Sequence, residues 1–179
     1  MAAIPLEQLQ YPIGKFQKPE IISRKTIDAW IGEIASFPER IEKAIAGMNE
    51  AQLDTQYRPD GWTVRQVVHH CADSHMNSFI RFKLALTEDN PQIKPYEEQL
   101  WAEAPDYDMD TAVSIALLKA LHSRWVVLLR SISEKDFSKT FYHPGSQKIY
   151  RLDINTGIYA WHCNHHLAHI TELKMREGW

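Results

Sequence analysis

Histidines fall in two clusters along this chain. Nine histidines occur in 179 residues, and seven of them lie in two short stretches. The first stretch holds His69, His70 and His75, and the second holds His162, His165, His166 and His169. Because neutral imidazole is a frequent ligand of divalent transition metals, these stretches are the first candidates for a metal site.

The spacing in the second cluster suits metal binding on a helix. His162 and His166 are four residues apart, and residues at that spacing stand one above the other on a helix, with Cβ atoms about 5–6 Å apart. Two such imidazoles can converge on one ion. His165 and His169 form a second pair of the same kind. Each pair supplies two ligands, and the first cluster supplies candidates for a third.

Four long amphipathic segments must position these histidines. Apolar residues recur at three- and four-residue steps, which predicts helices over 23–48, 63–87, 110–132 and 153–176. Ser23, Thr63, Asp110 and Asp153 are the predicted N-caps. Pro38 is predicted to bend the first of these helices, because proline removes a backbone donor.

The pattern predicts an all-α fold, a single domain over residues 1–179. The four segments indicate an up-down-up-down four-helix bundle. Residues 89–109 contain three prolines and are predicted to form a long crossing loop. Residues 138–152 alternate around Pro144-Gly145, which favours a small β-hairpin.

Depth along this bundle selects between ligand sets. In an up-down-up-down bundle the second and fourth helices run the same way. At a rise of about 1.5 Å per residue, His70 lies about 10 Å from Thr63 and His162 about 13 Å from Asp153 along the helix axes. Ligands of one ion must lie at one level, because a metal–nitrogen bond is about 2.0–2.1 Å long. Two sets satisfy this condition. The first triad is His70, His162 and His166. The second triad is His75, His165 and His169.

The adjacent residues His69 and His70 compete for one position. His70 projects nearer the apolar stripe of its helix by about 20°, given the helical periodicity. His69 projects toward Arg65 and Asp73, the side expected to be wetter. The periodicity favours His70 and leaves His69 as an alternative.

A three-histidine site leaves the ion with open positions. Closed structural zinc sites usually have four protein ligands, so an open site favours catalysis. Zinc is the default ion, and nickel, cobalt, manganese or iron also suit imidazole and water. Such an ion lowers the pKa of bound water or holds a thiol as thiolate.

Composition limits the partners that are expected. The formal net charge is −3, which argues against broad nucleic-acid binding. The N-terminus does not resemble a signal peptide, and no apolar stretch approaching about 20 residues is evident, so no membrane contact is expected. Cys71 and Cys163 are expected to be reduced, and the chain is expected to be cytoplasmic.

Several segments carry a family resemblance. They are Gly61–Asn77, Pro95–Glu97, Phe141–Pro144 and Trp161–Ile170. On these segments the chain resembles the DinB/YfiT-like superfamily of four-helix metalloproteins, and within it the YfiT branch, from about Tyr11 to Trp179. The sequence departs from the family pattern in its doubled histidine and at Cys71, where a larger aliphatic residue is usual.

The resemblance implies a ligand set and an activity. Its motif has a histidine eight residues after a tryptophan, which here is His70, and an HxxxH motif, which here is His162 and His166. It implies a metal-dependent enzyme that is often homodimeric. The leading expectation is a transferase that conjugates a low-molecular-weight, bacillithiol-like thiol to an electrophile. The alternatives are a metal-dependent hydrolase and a non-enzymatic metal-binding stress protein. A hydrolase needs a general base, for which Glu97, Glu98 and Glu103 are candidates.

Overall fold

Helices dominate the computed structural model, which describes residues 4–179. In chain order the elements are α1 (Leu6–Gln10), α2 (Arg24–Ile45), α3 (Glu50–Leu53), α4 (Val64–Thr87), α5 (Glu98–Trp101), α6 (Thr111–Ser131), β1 (Thr140–His143), β2 (Lys148–Arg151) and α7 (Leu152–Glu177). Short 3-10 turns occupy Pro105–Asp108 and Asp136–Ser138. The four long helices agree with the predicted ones to within three residues at each end, and the predicted β-hairpin is present.

Side-chain caps start three of the long helices. The Ser23 hydroxyl accepts a hydrogen bond from the Thr26 N–H at 3.1 Å. Thr63 and Gln66 form a reciprocal capping box. Asp110 accepts from the Ala112 N–H. These bonds satisfy backbone donors that the first turn of a helix leaves without partners.

The start of α7 differs from the prediction. Asp153, the predicted cap, lies inside the first turn, and the helix begins at Leu152 directly after β2. The Asp153 carboxylate accepts from the guanidinium of Arg151 and from the Ile154 N–H. The acidic side chain therefore stabilises the positive end of the helix from within its first turn.

Pro38 lies inside α2 without ending it, since the helix continues to Ile45. Because proline has no N–H, the carbonyl of Ile34 lacks its usual helical partner four residues later. The His122 side chain on α6 supplies that partner, and its Nδ1–H donates to the Ile34 oxygen at 2.7 Å. A side chain from a neighbouring helix thus completes the backbone bonding of α2.

The direction of the helices corrects the sequence prediction. On the α4–α7 face, His70 contacts His162 while Ser78 contacts Asn155, so these two helices are antiparallel. The predicted parallel course of the second and fourth long helices is therefore wrong. The arrangement is up-down-down-up, because α4 runs parallel to α6 and α2 runs parallel to α7.

The order of the helices explains the long connection before α6. Helices α2 and α4 both pack against α6 and α7, so α2 and α4 lie on one diagonal of the bundle. Since α4 and α6 are parallel neighbours, the chain must return along the bundle between them. The predicted crossing loop makes this return, and it includes α5 and the first 3-10 turn.

The core lies between the four long helices and extends under the hairpin. Its largest fully buried side chains include Phe37, Phe82, Trp125, Phe137 and Phe141. Within the described residues, one helix, α6, is long and apolar enough by length and composition to cross a membrane. This property differs from the expectation that the chain has no apolar stretch approaching about 20 residues. In the bundle, α6 contributes Trp125 and other residues to the core.

Candidate metal centre

The structure brings the first triad together. His70 comes from α4, and His162 and His166 come from the middle of α7. One ring nitrogen from each lies within 4.8 Å of the others. The Nε2 atoms of His70 and His162 are 3.3 Å apart. This separation brings both nitrogens within reach of a single ion.

Burial keeps the first triad neutral. Burial, reinforced by His165, lowers the pKa of His70 to about 3. Burial, followed by the influence of neighbouring histidines, holds the pKa of His162 and His166 well below the ordinary value. A neutral imidazole has one nitrogen with a free lone pair, which is the form that binds metal.

The alternative ligand His69 is committed elsewhere. Its Nε2–H donates to the Met109 carbonyl at 3.1 Å, and its Nδ1 accepts from the Ser114 hydroxyl at 2.7 Å. His69 is also buried between α4 and α6, with 5% of its surface exposed. The expectation that His69 faces the wetter side is therefore wrong, and His70 is the histidine that joins the triad.

The second triad does not assemble. His75 bonds to His122 at 2.7 Å and to His162 at 3.1 Å, rather than to His165 or His169. This follows from the antiparallel course of α4 and α7, which places the C-terminal part of α4 beside the N-terminal part of α7.

His165 and His169 instead form a separate cluster with His166. His165 stacks on Trp161, with ring centroids 4.4 Å apart. His169 stacks on Tyr57 at 3.9 Å, and its Nε2–H donates to the Gln10 carbonyl. These two rings belong to the wall of the cavity above the first triad.

That cavity, here called the triad pocket, has a volume of about 330 Å³. All three members of the first triad line it. Its aromatic walls are Tyr11, Tyr57, Trp62 and Trp161. Its charged lining residues are Arg58, Asp60 and Glu98. The pocket therefore combines apolar surface, one cation and two carboxylates beside the candidate ligands.

The N-terminal segment forms one wall of the triad pocket. The Trp161 indole N–H donates to the Gly14 carbonyl at 3.0 Å. The Tyr11 ring lies 5.8 Å from the His165 ring. Sequence reasoning missed this wall and also missed Arg58. No periodic pattern marks residues 4–22, and Arg58 lies in a turn whose position depends on the three-dimensional fold.

Glu98, one of three carboxylates considered from the sequence, lines the triad pocket at the start of α5. The residue is exposed overall. Partial desolvation by the surrounding protein, with a smaller contribution from Glu97, raises the pKa of its carboxyl above the ordinary value. A carboxylate with a raised pKa beside a metal site has the properties of a general base.

The cysteines offer no nucleophile to this site. Cys71 and Cys163 are both free, as expected from the sequence, and both are buried. Burial raises the pKa of both thiols. Since the thiolate is the reactive form, both side chains are inert in the folded chain.

The fold and the site together define a class, which is a four-helix bundle with three convergent histidines beneath an aromatic pocket. Residues 33–170 match the family model described as DinB superfamily. The chain belongs to the DinB superfamily, which confirms the resemblance found in the sequence.

Relatives with related names span almost the whole chain. A Bacillus cereus protein named "Putative metal-dependent hydrolase" is 53% identical over 174 residues, covering 97% of this chain and all of the relative. The Bacillus subtilis protein named "Putative metal-dependent hydrolase YfiT" is 51% identical over 172 residues, covering 96% of this chain and 97% of the relative. These names agree with the predicted class of metal-dependent enzyme.

A solved structure confirms the bundle. The structure of YfiT from Bacillus subtilis superposes with a TM-score of 0.94 at 50% identity, covering 96% of this chain and 99% of that one. It is described as a probable metal-dependent hydrolase with an unusual four-helix bundle topology.

Proposed function

We propose that this protein is a metal-dependent hydrolase whose divalent ion is held by His70, His162 and His166. The observation that carries the proposal is that Glu98 lines the same pocket as the three neutral imidazoles. The sequence left open whether any carboxylate reaches this site. We take the presence of Glu98 as support for hydrolysis over thiol transfer.

The residues of the first triad fit a divalent ion. Among the residues that the structure describes, the Nδ1 atoms of His70 and His166 are buried without a hydrogen-bond partner, while ring nitrogens of the triad converge. Three nitrogen ligands without sulfur suit zinc, nickel, cobalt, manganese or iron(II), and zinc is the ion we propose. When bound, such an ion lowers the pKa of coordinated water and polarises a carbonyl group.

Other side chains perform the remaining tasks. Glu98 accepts the proton that water loses as its oxygen attacks the substrate, and then gives a proton to the leaving group. The aromatic walls hold an apolar part of the substrate and exclude bulk water. The reaction breaks a carbonyl–oxygen or carbonyl–nitrogen bond and adds the elements of water across it.

Thiol transfer is the second candidate, and Arg58 is the observation that favours it. Arg58 lines the triad pocket, where its guanidinium can bind the carboxylate of a low-molecular-weight thiol. Both cysteines of the chain are buried, so the nucleophilic sulfur would come from such a co-substrate. The ion would hold that sulfur as thiolate, and the thiolate would displace the leaving group of an electrophile.

Metal content tests the ligand set. We expect about one zinc or nickel ion per chain in tag-free protein after incubation with metal. His166→Ala should lose it, because one of three ligands is removed, whereas His165→Ala should retain it. Loss of metal in His165→Ala but not in His166→Ala would overturn the ligand assignment.

Activity assays distinguish the two reactions. Zinc-loaded protein should hydrolyse members of a panel of activated esters and amides, and Glu98→Gln should lower kcat about 10²–10⁴-fold, the usual contribution of a general base. Arg58→Gln should affect KM more than kcat. Turnover of a thiol with a chromogenic electrophile, unaffected by Glu98→Gln, would instead establish the transferase. Tight metal binding with neither activity would indicate a metal-binding stress protein.

A further inference from the structure

Hydrogen-bonded histidines connect the first triad to the backbone of α2. His162 Nδ1 lies 3.1 Å from His75 Nε2. His75 Nδ1 lies 2.7 Å from His122 Nε2, and His122 Nδ1 lies 2.7 Å from the Ile34 carbonyl oxygen. His75 and His122 are 0% and 2% exposed, so water cannot substitute for these bonds. We call this series the histidine relay.

The carbonyl at the end of the histidine relay fixes the direction of every bond. A carbonyl only accepts, so His122 carries its proton on Nδ1 and leaves Nε2 as an acceptor. His75 must then donate from Nδ1, which leaves its own Nε2 as an acceptor. By the same reasoning, His162 donates from Nδ1 to His75.

This direction determines the tautomer of one candidate ligand. With its proton on Nδ1, neutral His162 has its free lone pair on Nε2, the atom that faces His70. Metal-bound histidines usually donate their other ring N–H to a partner, and this bond fixes both ring orientation and tautomer. Here the partner is another histidine, which is itself held by a third.

The other two members of the triad differ from His162. Within residues 4–179 the Nδ1 atoms of His70 and His166 are buried without partners, whereas His162 is held by the relay. Buried polar rings stabilise a core less well than apolar rings of similar size unless their hydrogen bonds are complete. The complete bonding of His75 and His122 also fixes the tautomer of His162, which an apolar pair of similar size would not do.

We propose that His75 and His122 are positioning residues that hold His162 as the pre-oriented ligand of the metal site. The proposal rests on the proposed metal site for its function. The relay starts at the carbonyl oxygen of Ile34. A lone pair of this oxygen is available because Pro38 has no N–H to donate to it. The proline thus gives His122 a fixed acceptor, and His122 in turn fixes His75 and His162.

Nitrogen NMR of the imidazole rings tests the relay directly in the metal-free protein. We expect ¹⁵N shifts and long-range couplings to show His162, His75 and His122 all protonated at Nδ1 and bare at Nε2. A proton on Nε2 of His162 or His75 would overturn the proposal. This measurement needs neither metal nor activity, so its outcome is separate from that of the proposed hydrolase.

Variants test the effect on metal binding. His122→Phe leaves the N–H of His75 without an acceptor, and we expect zinc affinity to fall about 10–100-fold, the usual effect of removing an outer partner of a ligand. His122→Gln retains a donor and an acceptor and should recover most of the loss. Phe82→Leu is the control, because Phe82 is also fully buried but lies outside the relay.

The measurement is zinc competition with a chromophoric chelator, with urea unfolding on the same samples. Equal zinc affinity in His122→Phe and Phe82→Leu would overturn the positioning role, as would a His122→Gln protein no better than His122→Phe. If His122→Phe does not fold, two other results decide. They are the zinc affinity of His122→Gln relative to wild type and the ring tautomers measured in the wild-type protein. Failure of the wild-type protein to bind zinc would refute the metal site, while the NMR result would still decide the tautomers.

Discussion

Acidification should unfold the metal-free protein between about pH 5 and 6, because its core holds many neutral histidines. Burial lowers the pKa of His70 and His169 to about 3 and that of His122 and His165 to about 4. In the unfolded chain each has a pKa of about 6.5. Below pH 6.5 the unfolded state therefore binds protons that the folded state does not, and stability falls as pH falls.

The size of the effect follows from these values. At pH 5.5 a histidine with an unfolded pKa of about 6.5 lowers the free energy of unfolding by about 1.4 kcal/mol if it stays neutral in the fold. The four groups together lower it by about 5–6 kcal/mol, which is similar to the whole stability of many domains, about 5–15 kcal/mol. The other buried histidines of the first triad and relay add to this loss.

Urea unfolding of metal-free protein at pH 7.5, 6.5 and 5.5 measures the effect, with tryptophan fluorescence as the signal. The matched variant is His169→Gln, which retains a donor for the Gln10 carbonyl but does not titrate. It should lose about 1.4 kcal/mol less than wild type between pH 7.5 and 5.5. A wild-type loss below about 2 kcal/mol would refute the reasoning, because it would mean that these rings titrate nearly normally.

Two further predictions concern packing and reactivity. Gly157→Ala should destabilise the fold by about 1–3 kcal/mol, since a Cβ there would lie 2.8 Å from the Trp30 ring. Gly32→Ala, on open helix surface, should stabilise the fold by about 0.5–1 kcal/mol. Thermal unfolding of both variants measures these changes. Cys71 and Cys163 should resist a thiol reagent such as DTNB in native buffer and both react in urea, and rapid native labelling would contradict their burial.

Local patterns predicted the helices well because helix formation depends on nearby residues. The capping pair Thr63 and Gln66 and the periodic apolar residues that follow are sufficient to define α4. Helix direction has no such local signal. The second triad depended on a parallel course of α4 and α7, so it failed when that course proved antiparallel.

The convergence of His70, His162 and His166 was predicted despite that error, and their role as metal ligands stays a prediction. His162 and His166 lie on either side of the middle of α7, so reversing the helix leaves the mean depth of the pair nearly unchanged. The ranking of His70 over His69 agrees with the structure, although both rings are buried. The position of Arg58 could not be predicted, because the turn that holds it is placed by long-range packing. His122 lay on the apolar stripe of α6, but its partner, Ile34, is a backbone carbonyl that carries no sequence signal of its own.

The docking of the N-terminal segment on α7 has a consequence for synthesis of the chain. Tyr11 and Gly14 leave the ribosome first, but their partners His165 and Trp161 come about 150 residues later. At about 5–20 residues per second, the segment waits roughly 8–30 s for those partners. Two of the three candidate ligands arrive in the same late stretch. Capture of a metal ion by the full triad therefore requires that synthesis has passed His166.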